Sequence, residues 1–95
     1  MSGASDGVPV SVVMPVYNEA NGIAEVVADI QRHILDRVPG SELVVVDDRS
    51  TDASPTILDG LAALDPRIRV LVNEQNAGHG RSTRRAMDAA RGAWI

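Results

Sequence analysis

Hydrophobic residues along the chain alternate between short unbroken runs, which are typical of strands, and spaced stripes, which are typical of helices. The β-branched run Val10–Met14, which ends at Pro15, predicts a first strand. Leu43–Val46 predicts a second strand, and its lack of polar alternation is typical of a strand covered on both faces. Ile68–Val72 predicts a third strand, and Trp94-Ile95 looks like the start of a fourth.

Three helices are predicted between these strands. An apolar stripe with the spacing i, i+3, i+4, i+7 and i+11 predicts the first helix, with Asn21 as its candidate N-cap. Ser54 followed by Pro55 predicts the start of the second helix, with serine as the N-cap and proline at the first helical position. A third helix is predicted over about Arg81–Arg91. The stripe of the first helix consists of Ile23, Val26, Val27, Ile30 and Ile34.

The order β-α-β-α-β-α-(β) predicts an α/β fold of Rossmann-like type, a three-layer arrangement with a parallel sheet and right-handed crossovers. The chain has 95 residues, which fits one domain or part of one. We expect residues 1–7 to form a disordered leader and residues 8–95 to form the folded part. The fourth strand is only begun, so we expect an N-terminal portion of a longer chain. Its unpaired sheet edge would then favour self-association.

Composition argues against several classes of protein. The net charge is −4, and the nine basic residues are all arginines, so a general nucleic-acid binder with a basic face is not expected. Without cysteine, the chain has no disulfide, thiol nucleophile or thiolate metal site. No apolar run approaches the roughly 20 residues of a membrane span. Residues 1–7 lack the features of a signal peptide, so we expect a cytoplasmic protein.

Polar residues follow each predicted strand. Pro15–Glu19 follows the first, Asp47 and Asp48 follow the second, and Asn73–Gly80 follows the third. Because ligands of open parallel sheets bind beyond the carboxyl ends of the strands, these loops are predicted to share one binding edge. Adjacent strand residues point to opposite faces, so one aspartate can hold the turn while the other accepts a ligand N–H. The ring of Tyr17, one loop away, is placed to cover a nucleobase.

Three segments, VSVVMPVYNE, ELVVVDDRSTD and NAGHGRSTRRAMDAARGAWI, resemble in order and spacing the N-terminal half of the family 2 glycosyltransferases, which are inverting enzymes with the GT-A fold. The resemblance covers about Val10–Ile95. It implies the nucleotide-binding part of an enzyme that moves a sugar from a UDP- or GDP-sugar donor to an acceptor. The G-H-G sequence looks most like the polyprenyl-phosphate branch, similar to dolichol-phosphate mannosyltransferase.

The resemblance also implies a set of donor-binding residues. In the family, the P-x-Y-N segment and the second aspartate of D-D-x-S-x-D bind the nucleotide, and the N-x-G-x-G segment shapes the donor pocket. A divalent metal, Mg²⁺ or Mn²⁺, is implied for the full-length enzyme. Its D-x-D motif and the catalytic base lie beyond Ile95, so no metal ligand or catalytic residue is expected here, and this chain alone should be inactive. The implied set is Pro15, Val16, Tyr17, Glu19, Asp48, Asn76, Gly78, Gly80 and Arg84.

Simpler structural roles remain open for several of these side chains. Asp47 and Asp52 are typical turn or cap residues, since aspartate readily bonds nearby main-chain N–H groups. Glu19 also suits the first turn of a helix, where the dipole favours an acid. Tyr17 can be a half-buried packing residue. His79 either approaches a phosphate or is a solvated loop residue.

The same residues argue against two other α/β functions. A phosphoacceptor receiver domain needs its acidic pair after the first strand and a lysine, and the chain has neither. A dinucleotide-binding domain needs G-x-G-x-x-G after the first strand, which is also missing. A complete non-catalytic nucleotide-binding or interaction module stays open as the alternative. Arg49 departs mildly from the family, which commonly has glycine after D-D.

Overall fold

The computed structural model describes residues 10–73 together with residues 84, 88, 90, 93 and 94. Predictions for the leader and for residues 74–80 lie outside the described residues. The third helix is described only at Arg84 and Asp88, which are both helical. The elements run β1 Val10–Val16, α1 Ile23–Ile30, a π-helical segment Gln31–Leu35 that continues α1, β2 Glu42–Asp47, α2 Ser54–Leu64, β3 Ile68–Val72 and β4 Ala93–Trp94.

The four strands form one sheet in the order β3-β2-β1-β4, and every pair is parallel. Along β1 and β2 the register runs from Ser11 opposite Glu42 to Val16 opposite Asp47. The α/β fold with a parallel sheet is therefore confirmed. Because β2 and β4 flank β1 on opposite sides, the strand order reverses next to β1. The crevice at such a reversal is where open α/β sheets usually bind their ligands.

Both faces of the sheet are covered. Helices α1 and α2 pack on one face, where the apolar core is largest. On the other face, Val44 and Val46 are buried against Val13, Leu71 and Ala90. All six residues of β2 are buried, which confirms the prediction from its unbroken apolar run. The buried core under the helices consists of Val16, Ile23, Val27, Leu35, Leu43, Val45, Leu58 and Ile68.

The prediction that β1 stops at Pro15 is wrong, because the strand continues to Val16. The carbonyl oxygen of Val16 accepts a hydrogen bond from the N–H of Asp48, so the polar main-chain atoms of Val16 face β2. The nitrogen of Pro15 therefore faces the β4 side. The described part of β4 pairs only with Val10 and Ser11. No described ladder bond needs an N–H at position 15, so proline is tolerated there.

Three details of the helix predictions are wrong. Gly22 and not Asn21 is the N-cap of α1, because the helix starts at Ile23 and the Gly22 carbonyl oxygen accepts the N–H of Val26. Val26 of the predicted buried stripe is 44% exposed. The N-cap of α2 is Ala53, one residue before the predicted serine, within the usual spread of helix ends. Among the described residues, no helix is long and apolar enough to cross a membrane.

Candidate functional site

The strand ends meet at one edge of the sheet, here called the carboxyl edge. The N–H of Asp48 donates to the carbonyl oxygen of Val16 at 2.7 Å, which joins the turn after β2 to the end of β1. The N–H of Asn73 donates to the carbonyl oxygen of Asp47 at 2.9 Å, which joins β3 to β2. The predicted convergence is therefore present in the main chain for the turns after β1 and β2 and for Asn73, the one described residue of the loop Asn73–Gly80.

Asp47 holds the turn that follows β2. Its carboxylate is fully buried and accepts two hydrogen bonds from Ser50, one from the N–H at 3.1 Å and one from the hydroxyl at 2.5 Å. Both carboxylate oxygens are thereby engaged inside the turn. This arrangement supports the structural role for Asp47 that the sequence left open.

Asp48 is only 1% exposed, so the carboxylate is buried at the carboxyl edge. Its Oδ1 accepts a hydrogen bond from the side-chain amide of Asn73 at 3.0 Å. Asp47 and Asp48 thus have different partners, as the alternation of adjacent residues predicts. Asn73 was not among the predicted site residues. Its position in the sequence could have indicated a place at this edge, because Asn73 directly follows β3 as Asp48 directly follows β2.

Two exposed side chains of the predicted site lie in the turn after β1. Tyr17 is 37% exposed, and Glu19 is exposed as well. The Val16–Tyr17 peptide lies directly beside the main chain of Asp48, because Val16 accepts the Asp48 N–H. The turn that carries this aromatic ring and this carboxylate therefore starts beside the main chain of the buried Asp48.

A pocket of about 190 Å³ opens between the end of β1 and the start of α1. It brings together Pro15, Val16 and Glu19 of the predicted site, while Tyr17 and Asp48 are not part of its lining. The pocket is smaller than a typical ligand site of about 300–1,000 Å³, so it suits one small group of a larger ligand. Its lining is Met14, Pro15, Val16, Glu19, Gly22, Ile23 and Val26.

The turn after β1 is held by side chains from the turn after β2. Three consecutive main-chain N–H groups, those of residues 18–20, each donate to one side-chain oxygen. The acceptors are the hydroxyl of Ser50 at 2.9 Å, the hydroxyl of Ser54 at 2.9 Å and Oδ2 of Asp52 at 3.1 Å. The later residues of the D-D-x-S-x-D-x-S sequence therefore fix the main chain of the neighbouring turn.

Asn18 makes the return contacts of this arrangement. Its Oδ1 accepts the N–H of Thr51 at 2.8 Å and the N–H of Asp52 at 3.3 Å. The main chain of Asn18 is left-handed, with φ of 52°. Asparagine is one of the few residues that adopt this conformation readily, so the residue suits the turn. These contacts and those of residues 18–20 are together called the turn clasp.

Asp52 is engaged on both carboxylate oxygens. Oδ1 accepts the N–H of Ser54 at 2.8 Å and Oδ2 accepts the N–H of Ala20. Hydrogen bonds from the hydroxyl and N–H of Ser54 lower the pKa of Asp52 below its ordinary value, against a small opposing effect of burial. The cap or turn role left open for Asp52 is the one that these contacts support.

The described residues do not fit the divalent metal that the resemblance implies. No group of three or more His, Cys, Asp or Glu side chains comes together within residues 10–73 and the few described residues beyond them. The oxygens of Asp47 and Asp52 are already engaged by N–H and O–H donors. No chemical step at a metal can be assigned to these side chains.

The remaining residues of the predicted site are Arg84 and three residues of the loop after β3. Arg84 is helical, and its side chain is 78% exposed, with Nε 3.7 Å from Oδ1 of Asp88. An exposed ion pair of this kind contributes little stability, so it does not hold the arginine away from a ligand. Asn76, Gly78 and Gly80 lie outside the described residues.

The main-chain conformation at Arg49 explains why glycine suits the position after the two aspartates. Its main chain is left-handed, with φ of 59°. Glycine has no Cβ and adopts this conformation without steric cost, whereas arginine does not. The departure noted in the sequence therefore carries a conformational cost in this chain.

Comparisons with known proteins agree with this architecture. The family model described as glycosyl transferase family 2 matches residues 11–95. Glycosyltransferase AglD of Haloferax volcanii is 41% identical over 88 residues, which cover 90% of this chain and 14% of that protein. Succinoglycan biosynthesis protein ExoO of Rhizobium meliloti is 38% identical over 93 residues, which cover 97% of this chain and 25% of that protein. The chain thus spans a quarter or less of these relatives.

Solved structures show the same fold. The mannosyltransferase PcManGT from Pyrobaculum calidifontis, in complex with GDP-Man and Mn²⁺, matches with a TM-score of 0.79 and 30% identity over 90% of this chain and 25% of its own. TarS of S. aureus in complex with UDP matches with a TM-score of 0.77 and 27% identity over 92% of this chain and 26% of its own. With the family model matching almost the whole chain, the protein belongs to glycosyl transferase family 2.

Proposed function

We propose that this chain is the nucleotide-binding part of an enzyme that takes its sugar from a nucleotide-diphosphate-sugar donor. The observation that carries the proposal is the bond from the Asp48 N–H to the Val16 carbonyl oxygen. This bond puts a buried carboxylate residue beside the Val16–Tyr17 peptide, at the edge where open α/β sheets bind ligands. Two similar structures, solved with GDP-Man and with UDP, support a nucleotide donor.

In this proposal the base of the donor lies between Tyr17 and Asp48. Stacking on an aromatic ring contributes about 1–3 kcal/mol per base. The carboxylate of Asp48 accepts the imino N–H that uracil and guanine both carry. Such charge-assisted bonds are the stronger kind, and burial increases their selectivity. In this structure the side-chain amide of Asn73 donates to Oδ1 of Asp48. For a base to bond to the same oxygen, Asn73 must share it or release it.

The remaining donor contacts follow from the pocket and the resemblance. Pro15 and Val16 form an apolar wall of the pocket. Glu19 is the only acidic residue in the pocket lining, and its carboxylate can accept a hydrogen bond from a ribose hydroxyl. We propose that Asn76, Gly78, Gly80 and Arg84 complete the donor site on the side of the third strand.

The activity of the whole protein is also a proposal. We expect sugar transfer with inversion at the anomeric carbon. An acceptor oxygen, from a hydroxyl deprotonated by a base or from a phosphate that is already ionised, would bond to that carbon as the diphosphate leaves on the opposite side. A divalent metal bound in the whole enzyme would stabilise the charge of that diphosphate. The G-H-G sequence supports a polyprenyl phosphate as the acceptor. A cytoplasmic location stays a prediction. The anomeric configuration of the product, determined by NMR, tests inversion directly.

Titration of UDP and GDP against the chain, with and without Mn²⁺, tests nucleotide binding. We expect weak binding that is nearly independent of metal. The substitution Asp48→Asn should weaken it about tenfold, because a charge-assisted hydrogen bond is lost. Asp59→Asn, which makes the same change of charge on the exposed side of α2, should leave the affinity unchanged. Binding that requires metal, or an affinity that is the same in Asp48→Asn as in the wild type, would contradict the proposed role of Asp48.

A further inference from the structure

The turn clasp joins two segments that are more than 30 residues apart in the sequence. Its contacts run from side-chain oxygens of the turn after β2 to main-chain N–H groups of the turn after β1. Asp52 is exposed, and Ser50 is half-buried at the same edge. Among the described residues, the predicted donor-binding side chains contribute no oxygen to the clasp.

One path through the clasp starts at a buried charge. The hydroxyl of Ser50 donates to the carboxylate of Asp47 and at the same time accepts the N–H of Asn18. The Asn18 N–H belongs to the peptide bond that leaves Tyr17. A buried carboxylate of β2 therefore sets the orientation of the peptide next to the only tyrosine, through a single hydroxyl.

A second path fixes the rest of the turn. Asp52 holds the Ala20 N–H, and Ser54 holds the N–H of Glu19. Asp52 also accepts the N–H of Ser54, so the two acceptors are locked to one another. Since the Glu19 carbonyl oxygen starts α1 by accepting two N–H groups, the same contacts set where the helix begins.

We propose that Ser50, Asp52 and Ser54 are positioning residues for donor binding: without touching the donor, they hold the main chain at residues 18–20 so that Tyr17 and Glu19 face it. This inference rests on the proposed function of the carboxyl edge. The physical reason is entropic. Fixing the main chain of a free turn costs conformational entropy, and a turn that is already fixed spares the ligand that cost.

The test combines nucleotide affinity with amide hydrogen exchange on the ligand-free chain. In the wild-type chain, the amides of residues 18–20 should be protected, because each donates to an acceptor. Asp52→Ala and Ser50→Ala should each remove that protection locally and weaken UDP or GDP binding about three- to tenfold, the equivalent of one lost hydrogen bond. Asp52 is exposed, so the alanine variant should remain folded.

Two variants act as controls. Ser50→Thr keeps the hydroxyl and should restore both the protection of the Asn18 amide and the affinity. Asp59→Asn removes a charge from an exposed position of α2 and should change neither. Rescue by threonine separates the hydroxyl contact from a general loss of packing.

The possible results separate the two proposals. If the wild-type chain binds nucleotide and the alanine variants bind as tightly despite lost protection, the positioning role is wrong and the proposed function stands. If affinity falls while residues 18–20 stay protected in the ligand-free variants, the side chains contact the donor directly, and the positioning role is again wrong. If the wild-type chain binds neither UDP nor GDP, the proposed function fails, and the positioning role fails with it.

Discussion

The two edges of the sheet are held together by different contacts. At the edge where the strands begin, here called the amino edge, charged side chains bond mainly to other side chains. At the carboxyl edge, the side chains of Ser50, Asp52 and Ser54 bond to main-chain N–H groups of a turn. The first arrangement fastens elements to one another, whereas the second fixes a turn while Tyr17 and Glu19 stay exposed.

One network of the amino edge crosses three strands. Glu42, the first residue of β2, accepts the hydroxyl of Ser11 on β1 at 2.7 Å and Nη1 of Arg69 on β3 at 2.9 Å. Glu42 is buried, and the acid would be costly there without these donors. The network therefore supports the register of the strands at their start.

A second network joins the start of β3 to the end of the first helix. Asp65 is buried and accepts bonds from the guanidinium of Arg67 and from the side-chain amide of Gln31. Arg67 also reaches Asp36 at 2.9 Å. The hydrogen bonds from Arg67 lower the pKa of Asp65 well below its ordinary value, and burial opposes them only in part. The pKa of Arg67 is raised by the same carboxylates, first by Asp65.

The largest effect is expected when the first network is broken. Glu42→Ala should lower the free energy of unfolding by about 3 kcal/mol, because the partly buried Arg69 and the buried hydroxyl of Ser11 lose their acceptor. Urea unfolding measures this change. Glu25→Ala, at an exposed position of α1, should stay within about 0.5 kcal/mol of the wild type. A loss below about 1 kcal/mol for Glu42→Ala would mean that the amino edge does not depend on this network.

A smaller effect, with a pH signature, is expected for the second network. Asp65→Asn should cost about 2 kcal/mol at pH 7, since the acceptor of the Arg67 and Gln31 bonds loses its charge and one of its two oxygens. The folded-state pKa of Asp65 is lowered, so its contribution is complete above the unfolded-state pKa of about 4 and is lost as pH falls below it. Urea unfolding of both proteins at pH 7 and pH 3 should show the gap narrowing at the lower pH.

The exposed substitution Asp59→Asn is the control for the pH series, because it removes a carboxylate that is not held in such a network. Its difference from the wild type should be small at both pH values. A gap for Asp65→Asn that is the same at pH 7 and pH 3 would show that the charge of Asp65 does not stabilise the fold.

The smallest effect is expected at the carboxyl edge and has the opposite sign. The main chain of Arg49 is left-handed, so the free energy of unfolding should be about 1 kcal/mol higher for Arg49→Gly than for Arg49→Ala. The two variants lose the same side-chain interactions, so their difference isolates the main-chain strain. Equal stabilities would indicate that the turn after β2 relaxes at no cost. Together the three experiments test whether charge holds one edge and main-chain geometry shapes the other.

Much of the fold was predictable because it depends on local patterns. β3 lies at the predicted residues 68–72, and β2 extends the predicted run by one residue at each end. A continuous apolar run can only be a strand with both faces covered, or part of a buried helix, and its length decided between them. The edge at which the polar strand ends meet was predictable for the same reason, since the carboxyl ends of parallel strands share one edge, and the donor-binding residues at that edge stay a prediction.

Other features were missed because they depend on distant residues. Asn21 is a good N-cap by type, but the helix starts at Ile23 with Gly22 as its N-cap. Val26 fits the helical stripe, but it faces a pocket beside β1 and not the core. The sequence predicted only a loop position for Asn73, and the pairing of β3 with β2 is what brings its side-chain amide to Asp48.

By itself, the sequence determined the order of the elements, the parallel sheet and the edge at which the polar turns collect, because periodicity and strand ends are local properties. Only the tertiary structure decided what the individual polar side chains do there. Ser50, Asp52 and Ser54 find their partners 32 to 35 residues away, and Asp47 and Asp48 separate into a turn acceptor and a partner of Asn73. A hydrogen bond needs both groups within about 3 Å, and that distance exists only after the strands have packed.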